Sequence, residues 1–257
     1  MTPGRAHEAA GDEAAFEIFT GLDPAHIALL LDFDGTLVDI AATPDAVHVS
    51  DELRASLARL LAKTGGALAL VSGRPIADLD RKFSPLVLPI VGGHGAETRV
   101  RENEVMRAAE PLPGALRRQL NEAVAFDPAI VVEDKAYSFA LHYRNAPQQE
   151  ERLRRHIAVV RAAFPGERID VLPGKAIFEV KRPGVSKGAA VSALMTHAPF
   201  AGRKPVFIGD DVTDESVFAL LPELGGIGFS VDLAFAGLAG TFSSPAQVRR
   251  ALRALAD

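Results

Sequence analysis

Five consecutive apolar residues, Ile27-Ala28-Leu29-Leu30-Leu31, stop abruptly at Asp32-Phe33-Asp34-Gly35-Thr36. A strand that is apolar at every position suits a parallel sheet buried on both faces by helices. In open α/β sheets the ligand crevice lies beyond the carboxyl ends of the strands, which puts Asp32 and Asp34 at the crevice. Residues two apart on an extended chain project to the same side, so both carboxylates can converge on one point, and Gly35 permits the sharp exit. Asp and Gly are also ordinary residues of solvated turns, and the pair alone leaves that alternative open. The spacing itself points to a phosphoryl-transfer site.

The pattern then alternates. Strands are expected to Asp32, over Ala67 to Val71 and over Val87 to Val91, with helices over Asp51 to Lys63 and from Pro75. A helix over Ser186 to Thr196, a strand over Pro205 to Gly209 and a helix over Thr213 to Leu221 resume the alternation late in the chain. Such alternation predicts a doubly wound, Rossmann-like parallel sheet in an α/β fold. Between the halves the texture changes to two helix-then-strands units: a helix near Pro113 to Val124, strands over Ile130 to Arg144, a helix over Gln148 to Phe164 and strands over Ile169 to Lys181. The domain expectation is a core of residues 1–108 and 182–257 with an inserted α+β lid of residues 109–181. Strict alternation in Ser138–Arg144 places Phe139, Leu141 and Tyr143 on one lid face and Ser138, Ala140, His142 and Arg144 on the other. The polar face is available to a ligand or is simply solvated. Residues 1 to about 15 are expected to fray, with a short helix from Ala14 through Thr20.

A hydrophobic share of 48% over 257 residues supports a sizeable core, and a net charge of −5 argues against a general nucleic-acid footprint. Without cysteine, thiolate catalysis and Cys-based zinc sites are excluded. No apolar run approaches the roughly 20 residues a membrane helix needs, and the amino terminus lacks a signal-peptide pattern. The expectation is a cytoplasmic monomer acting on a small molecule, with neither nucleic acid nor membrane as partner.

Further chemistry gathers at other strand ends and helix starts. Ser72-Gly73-Arg74-Pro75 follows a strand and opens a helix, where Ser72 and Gly73 can hold phosphate oxygens and Arg74 adds a guanidinium. The same residues also suit a plain cap and a surface ion pair. Lys187 opens a helix, an unfavourable place for a cation against the dipole, which suggests an anionic partner; an exposed solubilising lysine is the alternative. The glycine spacing of a Walker loop is missing. Gly209-Asp210-Asp211-Val212-Thr213-Asp214-Glu215 packs acids after an apolar strand, a concentration that suits a hard cation such as Mg²⁺. Asp32, Asp34 and Asp210 are the candidate ligands, Asp34 by its backbone carbonyl, with Asp211 and Asp214 in support. With Mg²⁺ and Lys187 offsetting charge repulsion, Asp32 can attack phosphorus while Asp34 acts as acid and then base.

In their order, Asp32-Phe33-Asp34-Gly35-Thr36, Ser72-Gly73-Arg74, Lys187 and Gly209–Glu215 resemble the four motifs of the haloacid dehalogenase (HAD) superfamily of phosphatases. Within it, Gly93-His94-Gly95-Ala96-Glu97, Glu133-Asp134-Lys135, His142-Tyr143-Arg144 and Gly174-Lys175 through Glu179 are similar to the trehalose-6-phosphate phosphatase family. The resemblance implies a HAD core with a C2-type cap and Mg²⁺-dependent hydrolysis of trehalose 6-phosphate. It also implies that Glu133, Lys135 and Glu179 grip sugar hydroxyls. His142, Arg144 and Lys175 either join them or orient lid neighbours, and His94 has the same two readings. One departure falls at Gly226–Val231, where the family usually has a Lys and then a Gly; Ser230 and Asp232 stand there instead. Two alternatives remain: a sibling phosphatase for sucrose 6-phosphate or mannosyl-3-phosphoglycerate, and a non-catalytic sugar-phosphate-binding module.

Overall fold

The computed structural model describes residues 3–41, 44–102, 104–174 and 176–257, so Lys175 lies outside the described residues. The chain divides into two compact units, one formed by residues up to Met106 with Ser186–Asp257, the other by Arg107–Val185. In the first, α1 (Pro3–Thr20) leads to β1 (Ile27–Leu31), α2 (Asp51–Lys63), β2 (Leu68–Val71), α3 (Ile76–Phe83) and β3 (Ile90–Gly92); β4 (Glu97–Arg101) and β5 (Glu104–Arg107) follow. The second unit holds α4 (Gly114–Asn121), β6 (Val131–Asp134), β7 (Ser138–His142), α5 (Glu150–Ala163), β8 (Asp170–Gly174) and β9 (Ile177–Lys181). The first unit then resumes with α6 (Lys187–Leu194), β10 (Lys204–Gly209), α7 (Glu215–Phe218), β11 (Ile227–Val231), β12 (Gly240–Phe242) and α8 (Pro245–Ala256).

Among the described residues the first unit's strands form one sheet in the order β12-β11-β10-β1-β2-β3-β4-β5. Pairing is parallel from β12 to β3, and β4 turns back antiparallel to β3. Because β1 is apolar throughout, it can occupy the centre: Leu29 lies opposite Val206 of β10 and Leu68 of β2. The chain leaves β1 toward β2 and returns on its other side at β10. The sheet's topological switch point therefore lies between β1 and β10, where α/β sheets bind ligands. Side chains alternate across the sheet as the period of two requires. Leu29, Leu31, Leu70 and Ile208 pack in one cluster with Phe19, Leu57 and Leu252, while Leu30, Ala69 and Phe207 pack in another with Val191 and Phe218.

Three local expectations are corrected. The amino-terminal helix runs over Pro3–Thr20, longer than the short segment from Ala14, because its end is anchored. Asp12 accepts from the Ser243 amide and hydroxyl, both at 2.6 Å, and Phe19 packs edge-on against Phe229. The strand expected from Val87 begins only at Ile90, since Pro85 and Pro89 cannot donate ladder hydrogen bonds. The helix expected over Thr213 to Leu221 is a 3₁₀ turn, Val212–Asp214, followed by the short α7. The edge pair β4 and β5, the strand β12 and the helix α8 are not singled out by the sequence alternation.

In the second unit the sheet order is β6-β7-β9-β8, antiparallel throughout. Phe139, Leu141, Phe178 and Val180 join Leu116, Leu120, Leu153 and Ile157 of α4 and α5 in a single core. One sheet face is thereby covered and the other carries Glu133, Ala140, His142 and Glu179. Leu141 is fully buried at the centre of that core. Leu141→Ala should cost the unit about 2–5 kcal/mol, read as faster amide exchange across β6–β9 with little change in β1 and β10.

Candidate active site

The end of β1 and the end of β10 bring Asp32 and Asp210 together across their parallel pairing, in which Leu31 lies opposite Ile208. The start of α6 supplies the third side: Ser186 caps it, its hydroxyl accepting from the Ala189 amide at 3.1 Å, and Lys187 is the first helical residue. Lys187 is 3% exposed, and its Nζ donates to Asp32 Oδ1 and to Asp214 Oδ1, both at 2.7 Å. An exposed, solubilising lysine is thus excluded. Burial would lower the Lys187 ammonium, but Asp32 and Asp214 outweigh it and hold the group above its ordinary value.

Asp214 has both oxygens engaged. Oδ1 accepts from Lys187, and Oδ2 accepts from the amides of Asp210 (3.0 Å) and Asp211 (3.1 Å). Asp211 in turn accepts from the Thr213 amide, closing a capping box that shapes the acidic turn. Asp210 Oδ1 accepts from the Thr36 hydroxyl at 3.1 Å. Gly35 has φ +82°, and a Cβ there would fall 2.1 Å from Asp210 Oδ2, so this turn requires glycine both for its backbone and for its closeness to the acid.

Carboxylate oxygens of Asp32, Asp210 and Asp214 lie within 4.8 Å of one another. Three acids against one lysine leave the cluster short of positive charge. Burial pushes Asp32 up to about 7, Asp210 to about 6 and Asp214 to about 7, each well above the usual carboxylate range. A hard divalent cation fits this donor set, since Mg²⁺ commonly takes one or two carboxylates and completes its shell with water. Because the hydrogen bonds of Asp214 occupy both its oxygens, Asp32 and Asp210 are the better placed carboxylate ligands, with Asp214 holding the lysine and the turn.

Asp34 leads a separate life from Asp32. Both its oxygens accept from Arg74, Nε to Oδ2 at 2.6 Å and Nη2 to Oδ1 at 2.7 Å. Arg74 also donates to Asp78 at 2.7 Å, and its guanidinium carbon lies 5.4 Å from the centre of the Phe33 ring. It is 6% exposed, so it is no surface ion pair, and its Nε, Nη1 and Nη2 each donate to a carboxylate of Asp34 or Asp78. Ser72 is 1% exposed and its Oγ accepts from the Arg74 amide at 3.1 Å, leaving the hydroxyl proton to donate. Gly73 lies under His94, whose ring would stand 2.4 Å from a Cβ there. At the start of α3 the Ile76 amide donates to Glu97 Oε1 at 2.7 Å.

The second unit holds its own polar group. Glu133 lies 3.3 Å from Lys135 and 3.6 Å from His142. Burial would raise the Glu133 carboxyl, but His142 and Lys135 outweigh it and hold it below its ordinary value. Glu133 and Glu179 both pair across the sheet with Ala140, which aligns the two acids on one face. Arg144 is exposed beyond the end of β7. Three contributors carry no role in the motif reading: Thr36, Asp78 and Glu97. Asp78 has a faint signal, four residues after Arg74 on a helix, but Glu97 is twenty-one residues from the amide it binds.

Known proteins share this fold. A phosphatase of the haloalkanoate (HAD) superfamily from Bacteroides thetaiotaomicron shares the fold, with a TM-score of 0.53, 16% identity and coverage of 84% of this chain and 89% of the other. The C-terminal domain of C. albicans trehalose-6-phosphate phosphatase superposes with a TM-score of 0.74 at 22% identity, over 95% of this chain and 96% of that domain. Fold and acidic site together define an α/β protein with the fold of the HAD phosphatases and an inserted second unit. A probable trehalose-phosphate phosphatase of Sinorhizobium fredii is 43% identical over 230 residues, covering 88% of this chain and 85% of the relative. The trehalose-phosphatase family profile matches residues 30–239, and the chain belongs to that family.

The raised carboxyls have a consequence for stability. Their folded values exceed the unfolded 3.8, so the metal-free folded chain binds more protons than the unfolded chain between about pH 4 and pH 7. Their contribution to stability therefore falls as pH rises through that window. In EDTA, urea midpoints should drop from pH 5 to pH 8 more steeply for the unaltered protein than for Asp210→Asn. Saturating Mg²⁺ should raise the pH 8 midpoint of the unaltered protein and much less that of Asp210→Asn.

Proposed function

We propose that this protein hydrolyses trehalose 6-phosphate to trehalose and inorganic phosphate with Mg²⁺, through an aspartyl phosphate on Asp32. The single observation that carries the reaction type is the different pairing of two acids from one strand end. Asp32 gives one oxygen to a buried ammonium, and Asp34 gives both to a guanidinium. Mg²⁺, held by Asp32, Asp210 and the Asp34 backbone carbonyl, would supply positive charge against the phosphate dianion. A carboxylate meeting a phosphate oxygen at ~4 Å is repelled by about 4 kcal/mol per charge pair at an effective dielectric of ~20, which Lys187 also offsets.

An Asp32 carboxylate oxygen bonds to phosphorus as the bond from phosphorus to the sugar oxygen breaks, and Asp34 gives that oxygen its proton. In the second half Asp34 takes a proton from water, whose oxygen bonds to phosphorus while the Asp32–phosphorus bond breaks. The bidentate Arg74 pair belongs to the unprotonated Asp34, the form needed in the second half. Carrying a proton in the first half requires Asp34 to loosen one guanidinium bond. Ser72 has a hydroxyl proton to give to a phosphate oxygen, with the Gly73 backbone beside it. Substrate identity is supported by family membership and by the aligned Glu133 and Glu179, whose oxygens accept from sugar hydroxyls; Lys135, His142, Arg144 and Lys175 add donors.

A substrate panel and two substitutions test this reading. With Mg²⁺ and a panel of sugar phosphates, phosphate release should be fastest from trehalose 6-phosphate; preference for sucrose 6-phosphate or mannosyl-3-phosphoglycerate would reassign the substrate, and no turnover at all would leave only binding. Asp32→Asn should lower kcat at least about a thousandfold without unfolding the chain. Asp34→Asn should lower turnover of trehalose 6-phosphate by about 10²- to 10⁴-fold. With an aryl phosphate, whose leaving group needs no proton, it should instead show a burst of phenol and trapped phosphoenzyme. Steady turnover at the unaltered rate would remove Asp34 from its role.

A further inference from the structure

The turn Gly93-His94-Gly95, with Ala96 and the first residue of β4, Glu97, touches both arms of the phosphate pocket. Toward the end of β2, the His94 amide donates to the Ser72 carbonyl at 3.0 Å and the Gly93 amide to the Arg74 carbonyl at 2.9 Å. The His94 ring lies against Gly73, and the buried Glu97 carboxylate accepts from the Ile76 amide at 2.7 Å. Three successive residues of the phosphate-binding segment and the start of the helix behind it are thus held from one side. Toward α6, a Cβ on Gly95 would stand 2.3 Å from the Ser186 carbonyl, the residue just before Lys187. Gly95 has φ +102° and His94 φ +55°, so the turn adopts a backbone that few residues accept in order to reach both neighbours.

We propose that this turn is the positioning element of the phosphate pocket, with His94 and Glu97 fixing Ser72 and Arg74, and Gly95 seating the helix start that presents Lys187. The inference rests on the phosphatase reading above and deepens it. Ser72 and Lys187 come from segments more than a hundred residues apart in sequence, and the turn spans the gap between them. In these contacts His94 acts on the backbone of Ser72 and Gly73, and Glu97 on the start of the helix behind them. Displacement of a catalytic group by about 1 Å is enough to cost about a hundredfold in rate, so loss of these contacts should be visible in kinetics.

Inorganic phosphate, titrated by calorimetry into the full chain with Mg²⁺, reads the pocket without turnover. Glu97→Ala and His94→Asn, the latter tolerant of the left-handed backbone, should each weaken phosphate binding about tenfold and lower kcat about tenfold or more. Glu97→Gln, whose amide oxygen still accepts the Ile76 N–H, should restore both to near the unaltered values. A role in the fold alone would lower the melting temperature while leaving phosphate affinity per folded molecule unchanged, and that result overturns the proposal. Should Glu97→Ala not fold, His94→Asn decides the matter on the same two readouts. If the unaltered chain binds phosphate but does not turn over trehalose 6-phosphate, the substrate assignment fails while the phosphate titration still judges the turn.

Discussion

A single buried ammonium organises the site. Lys187 lies between Asp32, at the end of β1, and Asp214, in the turn after β10, and so ties three segments to one point. At 2.7 Å and an effective dielectric of ~20, each contact is worth about 6 kcal/mol of Coulomb energy, set against a desolvation cost of several kcal/mol per ion. The cluster is therefore better understood as a device for geometry than as a source of stability. Its value lies in what removal would leave: uncompensated carboxylates in a buried place.

Holding Lys187 there requires the main chain to come unusually close on several sides. A Cβ at Gly188 would fall 2.1 Å from the Ser216 carbonyl, and the Gly188 amide donates to the Ser216 hydroxyl at 3.0 Å. Gly95 meets the Ser186 carbonyl and Gly35 meets Asp210 in the same manner. Small residues at these contacts allow helix start, acidic turn and strand end to converge, and the surrounding parallel sheet provides rigid ends from which they project. The cap unit solves a simpler problem by ordinary means, an antiparallel sheet with one apolar face beneath two helices and one polar face that aligns Glu133 and Glu179.

Much of this was legible along the chain. The unbroken apolar run of β1 implied a strand buried on both faces, and the acids after it had to lie at the strand's carboxyl end. Alternation in Ser138–His142 marked the cap's two faces because the strand period is two. Boundaries failed where local chemistry competed with pattern: prolines delayed β3, and the acidic turn preferred a capping box to a regular helix. Arg74 and Lys187 could each be read as ordinary surface residues until their burial was known.

Sequence by itself therefore determined the kinds of element, their order, the placing of each motif at a strand end or helix start, and the class of chemistry those residue types serve. Those are properties of neighbouring residues and short periods. Only the tertiary structure decided the partners: Arg74 with Asp34, forty residues apart, Lys187 with Asp214 as well as Asp32, and Glu97 with the Ile76 amide. The physical reason is that pairing depends on sheet register and on how closely backbones approach, and both are settled by packing between segments far apart in the chain.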